Sequence, residues 1–244
     1  MQLFLTLWIG LSGLVLFVRV VESKQWPVLR FVRTLSFFDQ LPNPLNPFGL
    51  LKGSKNTTGS KMERGSVLFS STVPLNFGPL DDVVMGGVSK TDEYLVNGVF
   101  GGVVSTDNNG GFAGIRTKMF EPAREISSSA GFALKIKGDG NRYKFIIRDD
   151  EQWNGIAWSQ SFDTKSGERS TVKLPVSAFI PTRFAKTVTG GPPFNKRNLR
   201  GLQITLSKFE VRFELDSCHL STKKTLPPLT TTPPILTSRY TNTV

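Results

Sequence analysis

Apolar and polar side chains alternate in short runs through the middle of the chain. In residues 131–138, for example, Phe132, Leu134 and Ile136 alternate with Lys135 and Lys137. A period of two over a few residues is typical of a β-strand with one buried face. The same pattern predicts further strands within 66–70, 93–106, 111–120, 141–149, 155–164, 170–179 and 200–211. Short strands at this spacing predict an all-β sandwich or jelly roll.

The tripeptide GDG separates the runs at 131–138 and 141–149. Because Gly138 and Gly140 permit positive φ, the sequence predicts that a tight turn joins these strands as a hairpin. One face of this hairpin is apolar. The cationic side chains of its other face are Lys135, Lys137, Arg142 and Lys144. Such a face is either a solvated outer surface or a contact for an acidic or phosphate-bearing partner.

The segments before the sandwich have a different character. Residues 2–18 are uncharged and apolar, close to the minimum length of a membrane-spanning helix. We expect an N-terminal apolar helix that anchors residues 1–21 to a membrane, with a cleaved signal as the alternative. Residues 22–65 are expected to form a basic amphipathic segment, suited to a membrane surface, and a polar linker. The sandwich is expected to occupy residues 66–216.

The last part of the chain, residues 217–244, is rich in Thr and Pro. This composition predicts a disordered tail, since it offers little apolar surface to bury. If the sandwich lacks a strand here, one edge of a sheet remains unpaired and is open to aggregation or to a partner strand.

The formal net charge of +11 is typical of proteins that bind nucleic acid. The distribution of this charge along the chain argues against that function for the expected domain. Residues 1–65 hold eight Lys and Arg against three Asp and Glu, and residues 66–216 hold nineteen against sixteen. Residues 217–244 hold three basic residues and no acidic ones. Most of the excess positive charge therefore lies outside the expected domain. Within the domain, residues 194–200 are the only dense cluster of basic residues in the sequence.

Candidate catalytic groups are few. Cys218 is the only cysteine and His219 the only histidine, so an internal disulfide and a histidine-rich metal site are excluded. A lone neighbouring Cys–His pair in a tail does not predict nucleophilic catalysis. We predict no catalytic residue, no cofactor, no metal and no small-molecule substrate.

The most unusual stretch is PLDDVVMGGVS, residues 79–89. Asp81 and Asp82 are interpreted as carboxylates that cap backbone groups in a turn, with contact to a partner or a metal as the alternative. The pair Gly86–Gly87 indicates a tight turn or a close backbone approach. The glycine-rich segment at 106–118 matches neither phosphate-binding fingerprint and is interpreted as a turn before a strand.

These motifs together resemble one known family. PLDDVVMGGVS, GVVSTDNNGGFAGIRTK, LKIKGDGNRYKF, QSFDT and LQITLSKFE occur in an order similar to that of the complex I intermediate-associated protein 30 family, and are closest to its plant and cyanobacterial members. The resemblance covers about residues 67 to 210. It implies a galactose-binding-like β-sandwich and a role in assembly of a membrane redox complex, without known catalytic residues.

The motif residues are the candidates for partner binding. They are Asp81, Asp82, Met85, Gly86, Gly87, Ser89, Asn108, Asn109, Gly110, Gly111, Arg116, Lys118, Gly138, Asp139, Gly140 and Tyr143. The leading hypothesis is a non-enzymatic assembly factor that binds protein subunits of mitochondrial complex I or of a photosynthetic complex. The resemblance implies an organelle, with the chloroplast favoured and the mitochondrion as the alternative, and residues 2–18 are the expected membrane contact.

Two other functions remain open at the level of sequence. One is a carbohydrate-binding module, in which Trp153 and Trp158 serve as aromatic platforms. The other is an RNA-binding factor supporting plastid translation. Its RNA contacts would be Lys135, Lys137, Arg142, Lys144 and the cluster at 196–200.

Overall fold

The computed structural model describes residues 8–10, 13–15, 25–40, 60–63, 65–70, 72–95, 98–184, 186–207 and 211–223. Helix α1 spans Val28–Phe37. The strands are β1 (Trp8–Gly10), β2 (Gly13–Val15), β3 (Ser60–Lys61), β4 (Val67–Phe69), β5 (Phe77–Pro79), β6 (Lys90–Tyr94), β7 (Phe100–Val104), β8 (Phe112–Thr117), β9 (Arg124–Glu125), β10 (Gly131–Lys137), β11 (Arg142–Arg148), β12 (Ala157–Asp163), β13 (Arg169–Pro175), β14 (Ile180–Arg183), β15 (Lys186–Thr187), β16 (Gly201–Ser207) and β17 (Val211–Lys223). Short 3₁₀ turns lie at Asp82–Met85, Asp107–Asn109 and Val176–Ala178.

Two antiparallel sheets form the body of the protein. A six-stranded sheet has the order β13-β10-β17-β7-β6, with β4 also paired to β17. A seven-stranded sheet has the order β15-β14-β12-β11-β16-β8-β5. Their inner faces supply one continuous core, because residues of both sheets belong to the same apolar cluster. The predicted all-β sandwich is confirmed.

Large aromatic side chains fill the centre of this core. Phe132 of one sheet and Phe145 of the other have ring centroids 5.6 Å apart. Tyr143 stacks on Phe162 at 5.7 Å and meets Phe100 of the opposite sheet at 6.2 Å. Each large ring removes on the order of 150–250 Å² of surface from water, so these contacts supply much of the driving force that joins the sheets.

The predicted hairpin of residues 131–149 is wrong. β10 pairs with β13 and β17, whereas β11 pairs with β12 and β16, so the two strands belong to different sheets. The alternating pattern states which side chains face the core but not which sheet a strand joins, and both inner faces of a sandwich are apolar. Lys135 and Lys137 therefore lie on one outer face of the molecule, and Arg142 and Lys144 lie on the other.

The GDG segment is thus a crossover between the sheets, and Asp139 holds it. The carboxyl group accepts hydrogen bonds from the Tyr143 hydroxyl at 2.7 Å, from the Asn141 amide side chain at 2.7 Å and from the Thr164 hydroxyl at 3.2 Å. Gly140 has a φ of +96°, which favours glycine at this tight change of direction. The buried phenol ring of Tyr143 consequently reaches a polar partner with its hydroxyl group.

The expected N-terminal apolar helix is not confirmed. The described part of that segment consists of β1 and β2, which pair antiparallel. In the described residues no helix has the length and apolar character needed to cross a bilayer. The rest of the segment lies outside the described residues.

Helix α1 lies in the basic amphipathic segment, and one of its faces packs on the sandwich. Thr34 and Phe38 are buried, and the ring of Phe37 occupies the space that a side chain on Gly78 would need. Lys118 lies 5.3 Å from the centroid of the Phe37 ring. Since this face is already covered, only the opposite face of α1 remains accessible.

The chain after residue 216 is not simply a tail. β17 runs to Lys223 and lies between β10 and β7, in the interior of the six-stranded sheet. Cys218 and His219 therefore belong to a strand, and the condition for an unpaired edge at this point, a missing strand, is not met among the described residues. The sequence from 217 looked polar and Thr-rich, but its strand partners β10 and β7 are distant in the chain and left no local signal. Residues 224–244 lie outside the described residues.

Tyr143→Phe tests the crossover. The variant keeps the stacked ring but removes a hydroxyl donor to Asp139, so we expect the free energy of unfolding to fall by about 1–2 kcal/mol. Urea denaturation followed by fluorescence measures the change. Tyr94→Phe, at an exposed position of β6, is the matched control and should change stability by less than about 0.5 kcal/mol. Equal stabilities of the two variants would contradict the proposed role of the hydroxyl.

Candidate functional site

The two glycine-rich motifs, residues 79–89 and 105–114, meet around the carboxylate of Asp82; we call them the loop cluster. Asp82 is completely buried. Its Oδ1 accepts a hydrogen bond from the backbone N–H of Ser89 at 2.9 Å. Its Oδ2 accepts from the N–H groups of Gly111 at 2.7 Å and Phe112 at 3.3 Å, and from the Ser89 hydroxyl. One side chain therefore ties both motifs together.

The serine hydroxyl extends this network. Ser89 Oγ accepts a hydrogen bond from the Ser105 N–H at 2.9 Å and lies 3.2 Å from the Ser105 carbonyl oxygen. Loop backbone groups inside a protein cannot bond to water and must find other partners. A carboxylate offers up to about four acceptor positions, so Asp82 can satisfy several backbone N–H groups of the two loops at once.

Glycines make room for this carboxylate. A Cβ atom on Gly87 or on Gly110 would collide with the side chain of Asp82. Gly86 has another function, since it ends the 3₁₀ turn Asp82–Met85 with a φ of +92°. The first glycine of the pair thus provides the backbone reversal, and the second provides space.

Asp81 points in a different direction and ties the motif to β6 and β8. Its Oδ2 accepts from the Thr91 N–H at 3.0 Å, and its Oδ1 accepts from the Gly114 N–H at 3.2 Å and from the Thr91 hydroxyl. Burial raises the pKa of the Asp81 carboxyl to about 6, against the opposite influence of these hydrogen bonds and of the Arg30 charge. The Thr91 hydroxyl also lies 3.3 Å from the Gly114 carbonyl oxygen. It can therefore donate to that oxygen when Asp81 is protonated.

The loop cluster presents Met85 to solvent. Asn108 and Asn109 adopt left-handed backbone angles, with φ of 55° and 58°, as asparagine does more readily than most residues. The side-chain amide of Asn108 donates to the Gly86 carbonyl oxygen at 3.3 Å. Met85, at the end of the fixed 3₁₀ turn, is 70 % exposed. An apolar side chain is thus displayed on a rigid loop.

Helix α1 is attached to the same loop cluster. The Trp26 indole N–H donates to the Val83 carbonyl oxygen at 2.8 Å. The Arg30 guanidinium donates to the carbonyl oxygens of Ser89 at 3.0 Å and Val88 at 3.3 Å. Sequence reasoning missed Trp26 and Arg30. The amphipathic pattern of the segment was their only signal, and it was interpreted as contact with a membrane surface.

The outward face of α1 carries apolar side chains. Leu29 is 77 % exposed, and Val28 and Val32 are also exposed. The helix contacts the 3₁₀ turn that bears Met85. We call Val28, Leu29, Val32 and Met85 the apolar surface. Exposed apolar residues on neighbouring elements of a protein surface are typical of protein or membrane contacts.

Arg116 lies elsewhere, on the outer face of the seven-stranded sheet. Its guanidinium carbon is 4.5 Å from the centroid of the Trp153 ring and 5.9 Å from that of Phe38. Burial lowers the pKa of Arg116 to about 9, and the positive charge of Arg148 acts in the same direction while Asp150 opposes it. Arg116 thus connects the loop before β12 with the end of α1. Its contacts are with those two segments and not with the carboxylates of Asp81 and Asp82.

Lys118 has a related role. Its ammonium group lies 3.3 Å from the Asp39 carboxylate, just after α1. Lys118 and Arg116 line a pocket of about 250 Å³ together with Glu121 and Glu151. Acidic and basic groups both line it, so the pocket has no clear charge preference. The remaining motif residues, Gly138, Asp139, Gly140 and Tyr143, form the crossover described above.

The structure reduces the surfaces available to the two alternative functions drawn from the sequence. Trp158 is 7 % exposed and lies in the core, and one face of the Trp153 ring is occupied by Arg116. Trp158 is therefore not a platform for a sugar, and only the other face of the Trp153 ring is left for one. For RNA, the expected row of cations is divided between opposite faces. In the 196–200 cluster, Arg200 is paired with Glu151 and Lys196 donates to the Ser129 carbonyl oxygen.

Gly87→Ala tests the packing against Asp82. The added methyl group meets a carboxylate that its hydrogen bonds hold in place, so we expect the variant to lose about 1–3 kcal/mol of stability. Gly191→Ala is the control, because its methyl group would meet only the end of the Ile156 side chain at 3.7 Å. Chemical denaturation of both variants measures the effect. A Gly87 variant as stable as the Gly191 variant would show that the carboxylate can move aside.

The raised pKa of Asp81 predicts a pH dependence. The carboxyl takes up a proton at about pH 6 when folded and near its ordinary pKa of 3.8 when unfolded. The folded state therefore binds more protons between these values, and the free energy of unfolding gains up to about 3 kcal/mol from this group as the pH falls from 7 to 4. Denaturation across that range should show the gain in wild type relative to Asp81→Asn. The exposed control Asp92→Asn should keep the wild-type gain, and a difference between wild type and Asp81→Asn that is the same at all pH values would contradict the assignment.

Solved structures share this fold. One is a family 11 carbohydrate-binding module of a cellulosomal cellulase from Clostridium thermocellum, 19% identical, with a TM-score of 0.51 over 65% of this chain and 95% of that chain. Another is a family 11 module from the same organism in complex with a β-1,3-1,4-mixed-linked tetrasaccharide, 19% identical, with a TM-score of 0.50 over 65% and 96% of the two chains. Both likenesses concern the fold alone, and they agree with the expected galactose-binding-like sandwich. Comparison with curated proteins finds no match.

The family model of complex I intermediate-associated protein 30 matches residues 68–216. This range is more than half of the chain, and it includes the loop cluster and the crossover held by Asp139. The resemblance of the motifs is thereby confirmed. The chain belongs to the complex I intermediate-associated protein 30 family.

Proposed function

We propose that this protein is a non-enzymatic assembly factor for a membrane redox complex, and that it binds subunits or assembly intermediates of that complex. The family's name associates it with intermediates of complex I. The client is either mitochondrial complex I or a photosynthetic complex. Binding uses the apolar surface, Val28, Leu29, Val32 and Met85.

The exposure of this surface on a rigid support is the observation that carries the proposal. Leu29 and Met85 are 77 % and 70 % exposed, although the backbone around them is fixed by Trp26, Arg30 and Asp82. A surface that is ordered before binding loses little conformational freedom when it binds, which favours affinity. The unbranched methionine side chain also adapts to partners of different shape.

The carboxylates support a binding role over a catalytic one. Asp81 and Asp82 each accept several hydrogen bonds from the protein's own backbone. In the described residues no group of three His, Cys, Asp or Glu side chains is placed to hold a metal ion. Neither carboxylate is open to a substrate, because both are buried. Their role is to hold the loop cluster in the shape that displays Met85.

The proposed compartment is an organelle. The motifs STDNNGGF and SKFE resemble those of plant and cyanobacterial members, which favours the chloroplast, and the family name favours the mitochondrion. Imaging of a full-length fluorescent fusion distinguishes the two, and its result also selects the membranes for the binding experiment.

Immunoprecipitation of the tagged full-length chain from solubilised organelle membranes tests the function. We expect subunits of complex I or of a photosystem to be recovered with the wild-type protein. Leu29→Ser/Met85→Ser should reduce that recovery by about tenfold or more, because exposed apolar anchors contribute most to such contacts. Folding is checked by thermal denaturation, which these exposed substitutions should leave unchanged.

A matched variant distinguishes binding through the apolar surface from non-specific hydrophobic binding. Ile180→Ser/Phe184→Ser removes two apolar side chains that are similarly exposed near β14. This control should recover the same subunits as wild type. The proposal fails if no redox-complex subunit is recovered with wild type, or if the two double variants lose recovery equally.

A further inference from the structure

The outer face of the six-stranded sheet carries a cationic patch that the proposed function does not use. Four exposed side chains form it, all on β10 and β13: Lys135, Lys137, Arg169 and Lys173. The register places Lys137 opposite Arg169, and it places Ala133 opposite Lys173. These positions alternate with the buried Phe132, Leu134 and Ile136, so they all project outward. We call the four residues the cationic face.

The charged neighbours of this face are few, and one of them is acidic: the register places Asp216 of β17 opposite Lys137. None of the ion pairs formed by described side chains includes any of the four residues. Glu168, the nearest acidic residue in the sequence, pairs with Lys165 at 3.4 Å. Like charges directly opposite each other on neighbouring strands are destabilising. Asp216 borders Lys137 on the β17 side of the register, so Arg169 and Lys173 on β13, farther from β17, are the positions that an added anionic segment would stabilise most.

The edge of the sheet runs along the same face. β13 pairs with β10 on one side and has no strand neighbour on the other among the described residues. An edge strand offers unpaired N–H and C=O groups to an extended segment of another chain. Arg169, Thr171 and Lys173 stand at alternate positions of that edge strand and are exposed. An added strand with acidic residues at every second position would therefore oppose them.

We propose that the cationic face and the β13 edge bind an acidic, extended segment of a partner protein as an additional strand. Among anionic partners, a peptide alone can use the backbone groups of the edge. RNA is a poorer fit, since the outward positions of β10 and β13 include no aromatic side chain on which bases could stack. The site is distinct from the apolar surface, because β13 and β6 lie at opposite edges of the six-stranded sheet and the loop cluster adjoins β6.

Fluorescence anisotropy with the full-length chain tests this proposal. The probe is a labelled peptide of seven residues, the length of β13, in which Glu alternates with Thr. We expect measurable binding that weakens with salt, because charge pairs at an exposed face are screened. Lys135→Glu/Lys173→Glu should weaken binding by about tenfold or more. The control Lys144→Glu/Lys186→Glu makes the same change in net charge on the seven-stranded sheet and should change affinity less than about twofold.

Three further ligands separate strand addition from charge attraction. A peptide methylated on every second backbone nitrogen, in the set whose N–H groups would face β13, keeps its charge but loses all donors along that edge, so it should bind more weakly than the parent peptide. A uridine oligonucleotide and phosphatidylglycerol vesicles of matched charge should bind more weakly than the peptide. The proposal is overturned if the methylated peptide binds equally well, if RNA or vesicles bind more tightly, if both double variants lose affinity alike, or if the peptide does not bind. None of these outcomes depends on which redox complex the protein serves.

Discussion

The burial of the Asp82 carboxylate is the constraint around which the site is built. Four donors from two distant loops converge on it, and the space for it exists because residues 87 and 110 lack side chains. Removing a carboxylate from water is costly unless its acceptor positions are filled. The loops therefore have one arrangement that satisfies both the charge and the backbone, and the display of Met85 and the docking of α1 depend on that arrangement.

Features set by residues close together in the chain could be predicted from the sequence, and features set by distant residues could not. Alternation of Phe132, Leu134 and Ile136 with lysines correctly indicated a strand with one buried face, because period-two burial is a local property. The partner of that strand is a non-local property. The hairpin assigned to GDG failed for this reason: Asp139 and Gly140 do make a tight change of direction, but it leads into the opposite sheet.

The site shows a similar division. The pairing of Asp81 and Asp82 with glycines suggested a turn held by carboxylates, and both groups do accept backbone hydrogen bonds. What the sequence could not convey is that the two carboxylates serve different partners, one the neighbouring loop and the other β6 and β8. The sequence also could not reveal that Arg30, about fifty residues before Asp82, hydrogen-bonds to the loop cluster. The residues between them show no regular pattern of apolar and polar positions from which that contact could be predicted. The amphipathic pattern of α1 was real: the sandwich covers one face of the helix, and Val28, Leu29 and Val32 remain exposed.

The position of β17 has a consequence for the synthesis of the chain. A ribosome delivers β10 and β7 long before Val211–Lys223 emerges, yet β17 is the strand that lies between them. Until then the strand pairs β13-β10 and β7-β6 are not joined. The edges that will face β17 have unpaired backbone groups, and the apolar faces of both pairs are incompletely covered. The order of translation thus leaves the two parts of this sheet, β13-β10 and β7-β6, unjoined until the last described strand has been made.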